Sequence, residues 1–130
     1  MAENRDELEQ AAMLLLSKDK KEEALEVYLK LLKLSKGDIR VRSKLADLYL
    51  SMDRKPEAIR QLRDVSAGQI KEGQFRAASI VLKRLHELNP TDTETLGQLG
   101  MAQKAIGFDE EAKEAFRKVI DMLAPKPKMA

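Results

Sequence analysis

Apolar residues fall along this chain in seven stripes of helical spacing, each closed by a stop signal. The first stripe covers about Asp6–Ser17, with Leu8, Ala11, Ala12, Leu15 and Leu16 on one face. Asp19 is placed to cap a second helix over about Lys20–Ser35, with Glu22 completing a capping-box pattern. Ala24, Leu25, Tyr28, Leu31 and Leu32 form its inward face, and Gly37 stands where a helix-ending glycine would. Asp38 then caps Ile39–Met52, whose inward residues are Val41, Leu45, Leu48 and Tyr49. Asp53 and Pro56 open a fourth helix, because proline in a first turn forfeits no intrahelical bond. That helix carries Ala58, Ile59, Leu62, Val65 and Ile70. The fifth spans Gln74–Leu88 and stops at Asn89 and Pro90. Thr91 and Glu94 form a Thr-x-x-Glu box for the sixth, about Asp92–Ile106. Gly107 stops the sixth, and Asp109 caps the seventh, about Glu110–Leu123. Pro125 and Pro127, interleaved with lysines, predict a disordered tail or the start of a linker over 125–130, leaving 5–124 as one helical domain. The connections are short, which implies antiparallel neighbours.

The phrase around Ala24 returns at Ala58, Ala78 and Ala112, in steps of 34, 20 and 34 residues. The middle step is 34 − 20 = 14 residues short, about one helix. The economical reading makes Asp53–Glu72 one long helix, the second of one repeat and the first of the next. Val65 and Ser66 then suit the large and small sites of a first helix, and Gln69 suits its large site poorly. A break near Gly68, with "GQIKEG" as an irregular connector, is the alternative.

A 34-residue period of helix pairs resembles the tetratricopeptide repeat family. Leu45, Ala46 and Tyr49 are similar to the large, small and large residues of a repeat's first helix, and Ala58 and Leu62 to those of its second. Leu96, Leu99, Gly100, Gly107, Ala112, Phe116 and Val119 fit the same pattern, as do Leu8, Ala11, Ala12, Leu15, Ala24, Tyr28 and Leu31. Gly73, Phe75, Ala78, Leu82, Leu85 and Pro90 match the second half of a repeat. The likeness covers roughly 5–124. It departs where the family often begins its first helix with an aromatic, since Arg42 stands there. The resemblance implies an all-α, right-handed superhelical stack of antiparallel helix pairs, about seven helices in all.

Composition narrows the chemistry. Lys and Arg number 24 against 22 Asp and Glu, so no general nucleic-acid or membrane binder is indicated. There is no cysteine, and His86 is the one histidine; thiolate and multi-histidine metal sites are excluded and no cofactor is implied. No phosphate-loop motif occurs, and "GQLG" fits a helix. His86, near a helix C-terminus, reads as a surface residue favoured by the helix dipole. The acidic pairs Glu22-Glu23 and Glu110-Glu111 sit in first turns, where they offset the dipole without acid–base catalysis. No residue is therefore assigned a catalytic role. The polar N-terminus and the lack of a membrane-length apolar run make the cytoplasm the expected compartment.

Carried onto this chain, the family's groove-facing sites fall at Asp6, Glu9 and Met13 in the first helix, and at Arg40, Ser43, Asp47 and Leu50 in the third. The shared helix supplies Arg60, Arg63, Ala67 and Lys71, and the sixth supplies Glu94, Gly97, Met101 and Lys104. Arg40, Arg60, Arg63 and Lys71 would make a basic centre that suits an acidic segment of a partner protein. Met13 and Met101 are either groove surface or core filling. The family's chaperone-binding clamp uses Lys and Asn at set sites, and Glu9 and Met13 do not reproduce it. A non-enzymatic protein-binding module is the leading expectation. A small chaperone sequestering an apolar segment of a secreted or assembling protein is the second. An RNA binder of the pentatricopeptide class is disfavoured by the spacing and the balanced charge. The expected assembly is a monomer, or a weak homodimer through an end.

Overall fold

In the computed structural model, which describes residues 4–125, the backbone closes into seven helices. These are α1 (Arg5–Ser17), α2 (Lys21–Leu34), α3 (Ile39–Ser51), α4 (Lys55–Lys71), α5 (Phe75–Leu88), α6 (Thr93–Ala105) and α7 (Asp109–Leu123). Each expected helix forms, with ends displaced by a residue or two. Residues 126–130 of the expected tail lie outside the described part.

Four turns repeat one geometry. After α1, α3, α4 and α6 the chain passes through the left-handed region at Asp19, Asp53, Gly73 and Gly107, with φ of 58°, 60°, 73° and 84°. The next amide reaches back to the helix in every case. Lys20 N bonds Leu15 O at 2.9 Å, and Arg54, Gln74 and Phe108 bond Tyr49, Gln69 and Gln103 at 2.8 Å. This is the Schellman closure, which satisfies a carbonyl the helix end would otherwise orphan. A second kind of turn follows α2 and α5. There Ser35 or Asn89 ends the helix, and Asp38 or Asp92 caps the next one.

These two turns account for the short step. The Schellman turns are spaced 34, 20 and 34 residues, as the alanines are. α4 is entered through one such turn and left through another, so it is the second helix of one repeat and the first helix of the next. What the chain omits is one helix and one turn of the second kind. α4 runs unbroken through Gly68, so the irregular connector does not occur. Val65, Ser66 and Gln69 are all buried, as first-helix residues should be, although Gln69 leaves its Oε1 without a partner.

Several expected caps are relocated by the same turns. Asp19 does not cap α2: it is the left-handed residue, and Lys20 takes the cap position without a side-chain bond. Asp53 likewise closes α3 rather than opening α4. Phe108, not Asp109, precedes α7, and Asp109 is its first residue. Asp92 displaces the Thr91–Glu94 box; it accepts from Glu94 N and from Thr95 Oγ1. Gly37 is no helix-ending glycine, because α2 stops earlier at Leu34. Asp38 caps α3 as expected, accepting from the amides of Arg40 and Val41.

A contrast between glycines follows. Gly107→Ala should lose about 1 kcal/mol, because a Cβ is strained at positive φ. Gly37→Ala, with no such φ and nothing within 4 Å of the added Cβ, should gain about 0.4–1 kcal/mol by restricting the unfolded chain. Urea midpoints measured side by side check both.

The chain divides into two compact units between Val65 and Ser66, inside α4. In the first, α2 packs on α1 and α3 around Leu8, Ala12, Ala24, Leu25, Tyr28, Leu31, Val41, Leu45, Leu48 and Tyr49, joined by Ala58 of α4. In the second, α6 packs on α5 and α7, with Ala78, Leu82, Leu85, Leu96, Leu99, Ala102, Ala112 and Ala115 buried. The four phase-marking alanines are all buried, where small side chains let helices approach closely. Arg42, standing where the repeat pattern favours an aromatic, links elements by hydrogen bonds instead. Its Nε and Nη2 donate to Lys36 O at 3.0 and 2.8 Å, and its Nη1 donates to Gln61 Oε1 and Asp64 Oδ2 at 3.0 Å. It ties the α2–α3 turn to α4.

Candidate functional site

The first unit carries an open cavity of about 360 Å³ lined by Met13 and Leu16 of α1, Tyr28 of α2, and Lys44, Asp47, Leu48 and Ser51 of α3. Helical spacing brings these together. Met13 and Leu16 share one side of α1, and Lys44, Asp47, Leu48 and Ser51 form an i, i+3, i+4, i+7 stripe on α3. The floor is apolar and the α3 edge is polar. Burial, and then the Glu9 carboxylate, push the Tyr28 phenol above its ordinary pKa, so it remains a neutral hydroxyl.

Met13 and Asp47, both expected groove residues, line this cavity. Met13 is 58% exposed and Met101, on α6 of the second unit, is 65% exposed; neither fills a core. Lys44, Leu16 and Ser51 belong to the same lining, and the groove mapping did not select them. Lys44 lies next to the mapped Ser43, which is half-buried, so only the rotation of α3 on α2 decides which of them faces the opening.

The basic residues are not equivalent. The Arg40 Nη2 donates to Glu9 Oε1 at 2.9 Å, so this guanidinium is paired across α1 and α3. Glu9 also pairs with Arg5, and Arg5 with Asp38. Arg60 and Arg63 are exposed one turn apart on the part of α4 that belongs to the first unit. Lys71 is exposed and belongs to the second unit. There Lys104 lines a separate cavity of about 340 Å³ with Asp109, Glu110, Ala112, Lys113 and Phe116.

His86 is not the surface residue expected. It is half-buried in the last turn of α5, and its Nδ1 is buried with no hydrogen-bond partner. α6 packs over this helix, and His86 lines a cavity with Leu96, Leu99 and Gln103 of α6 and with Glu111 and Glu114 of α7. No group of three or more His, Cys, Asp or Glu among the described residues is placed to hold a metal ion. Likewise, no helix among them is long and apolar enough to cross a membrane.

Paired helices, two recurring turn types and a buried alanine phase define an all-helical repeat protein. Residues 8–38 and 93–122 match the tetratricopeptide repeat model, and these two stretches are tetratricopeptide repeats. No curated protein matches the chain. Among solved structures it is similar to YrrB, a TPR protein with an unusual peptide-binding site, at 25% identity over 92% of this chain and 69% of that one, TM-score 0.47. It is similar to MamA 41-end from Desulfovibrio magneticus RS-1 at 19% identity over 95% and 77%, TM-score 0.48. It is similar also to the second TPR of Spaghetti (RPAP3) bound to HSP90 peptide SRMEEVD, at 16% identity over 91% of each chain, TM-score 0.44.

Proposed function

We propose that this chain is a non-enzymatic module that binds a segment of a partner protein on the face formed by α1 and α3. The observation that carries the proposal is the cavity lined by Leu16, Tyr28 and Leu48, with the exposed Met13 at its mouth. An exposed, flexible thioether adapts to an incoming apolar side chain at little strain. Lys44 and Ser51 on the α3 edge suit a carboxylate beside that side chain, and Arg60 and Arg63, exposed on α4, suit further acids of the same segment. The ligand is thus a short peptide or helix with an apolar anchor flanked by acidic residues.

A peptide array tests this, with spots pairing an apolar residue with neighbouring Asp or Glu against spots in which those acids are Gln. Met13→Glu should weaken capture of the acidic spots at least tenfold, since it replaces the apolar contact at the mouth with a carboxylate that repels the acids of the peptide. Arg60→Glu with Arg63→Glu should weaken it similarly, and added salt should mimic that loss through screening. Salt-insensitive capture of the Gln spots would favour the chaperone reading. Capture of neither kind would sink the module.

A further inference from the structure

The repeat register shows which helix faces another helix should cover. α3 sits on α2, and α6 sits on α5. The residues that α3 and α6 present in one register are Val41, Leu45 and Leu48, and Thr95, Leu99 and Ala102; all six are buried. The α1 residues 34 positions before the first set are Glu7, Ala11 and Leu14, and all three are exposed. Leu14 is 56% exposed where Leu48 is 5% exposed. α1 therefore has the seat of a covering helix and nothing beneath it among the described residues.

α7 shows the opposite vacancy. Phe116 and Val119 are half-buried, although the residues in the same register, Tyr28 and Leu31 of α2 and Leu82 and Leu85 of α5, are buried. One step further round, Ile120 is 66% exposed. No helix of the described chain follows α7 to close over this face. Lone exposed apolar residues are ordinary, but a stripe buried at every equivalent position is not.

We infer that the two faces cover one another between copies, with α1 of one chain seated on α7 of the next. The charges agree with this occupant. A covering helix runs antiparallel to the one beneath it when a short turn joins them, as in α2–α3 and α5–α6. In that orientation Glu7, in the acidic first turn of α1, is set toward the end of α7, where Arg117 borders the stripe of Phe116, Val119 and Ile120. The basic residue after α1, Lys18, meets the acidic start of α7 at Asp109 and Glu110. A parallel seating would set Glu7 against the acidic first turn of α7 instead. The interface joins two different faces, so it is heterologous and leaves each pair with one open seat and one open stripe.

Sedimentation velocity over a range of concentrations tests this on the full chain. The average mass should rise beyond that of a dimer as concentration increases. Leu14→Glu and Ile120→Glu each change an exposed residue, so folding should persist, and circular dichroism checks it. Each variant alone should be monomeric, its association weakened at least 100-fold. Mixed in equal amounts they should form a heterodimer and nothing larger, because the mixture retains one intact α7 and one intact α1. A monomer at every concentration would overturn the inference, as would a closed dimer abolished by only one of the two substitutions. Neither residue lines the α1–α3 cavity, so both variants should capture peptides normally, and failure of peptide capture leaves the assembly result standing.

Discussion

Gly68→Pro will cost about 3 kcal/mol or more of folding stability, with loss of helicity in far-ultraviolet circular dichroism. The ring removes the amide that bonds the carbonyl four residues earlier and clashes with that carbonyl, at Asp64. The cost is large here because α4 serves both units. Ala58, Leu62 and Val65 are buried in the first, and Ser66 and Gln69 in the second. In an ordinary repeat a turn separates such a pair of helices, and a proline in that turn would be tolerated. A urea midpoint close to that of the parent would mean that the chain is not helical through position 68.

Gly100→Ala is the second large effect, and Gly97→Ala, one turn earlier on α6, is its control. A Cβ built on Gly100 lies 2.8 Å from Phe116 Cε1 and 3.1 Å from its Cδ1 and Cζ. The ring or the helix must shift, which costs about 1–3 kcal/mol as overpacking. A Cβ on Gly97 meets nothing within 4 Å, and that substitution should gain about 0.5–1 kcal/mol because glycine is a poor helix former. The two alanines should therefore move stability in opposite directions. Phe116→Leu should recover part of the Gly100→Ala loss, and the double mutant should be non-additive. If Gly100→Ala stabilises as Gly97→Ala does, α6 and α7 are not in the close contact described.

The fold was legible because its signals are local. Apolar periodicity and stop residues identify a helix within a dozen positions, and all seven were readable. The spacing of Ala24, Ala58, Ala78 and Ala112 also disclosed the shared helix, because deleting a helix and a turn leaves a fixed deficit in length. The caps were less legible. Aspartate serves equally well before a helix and in a left-handed turn after one, so Asp19 and Asp53 could be assigned either way until the Schellman bonds decided.

The candidate site was read only in part. Met13 and Asp47 were found by carrying family positions onto the chain, and Lys44, Leu16 and Ser51 were not. A one-residue rotation of α3 exchanges Ser43 for Lys44 at the opening, and helical spacing leaves that rotation free. Arg40 was counted among available cations, yet its salt bridge to Glu9 spans 31 positions, beyond the reach of any local pattern.

By itself, then, the sequence determined the helices, their phase and the merging of two into α4. These follow from backbone hydrogen bonding and apolar spacing within each segment. Tertiary structure alone decided which side chains remain available. Leu14 and Leu48 are the same residue type at the same repeat position, and one is open where the other is buried. The difference lies in whether another helix lies beneath them, because burial belongs to the neighbours that remove water from a side chain and not to the side chain itself.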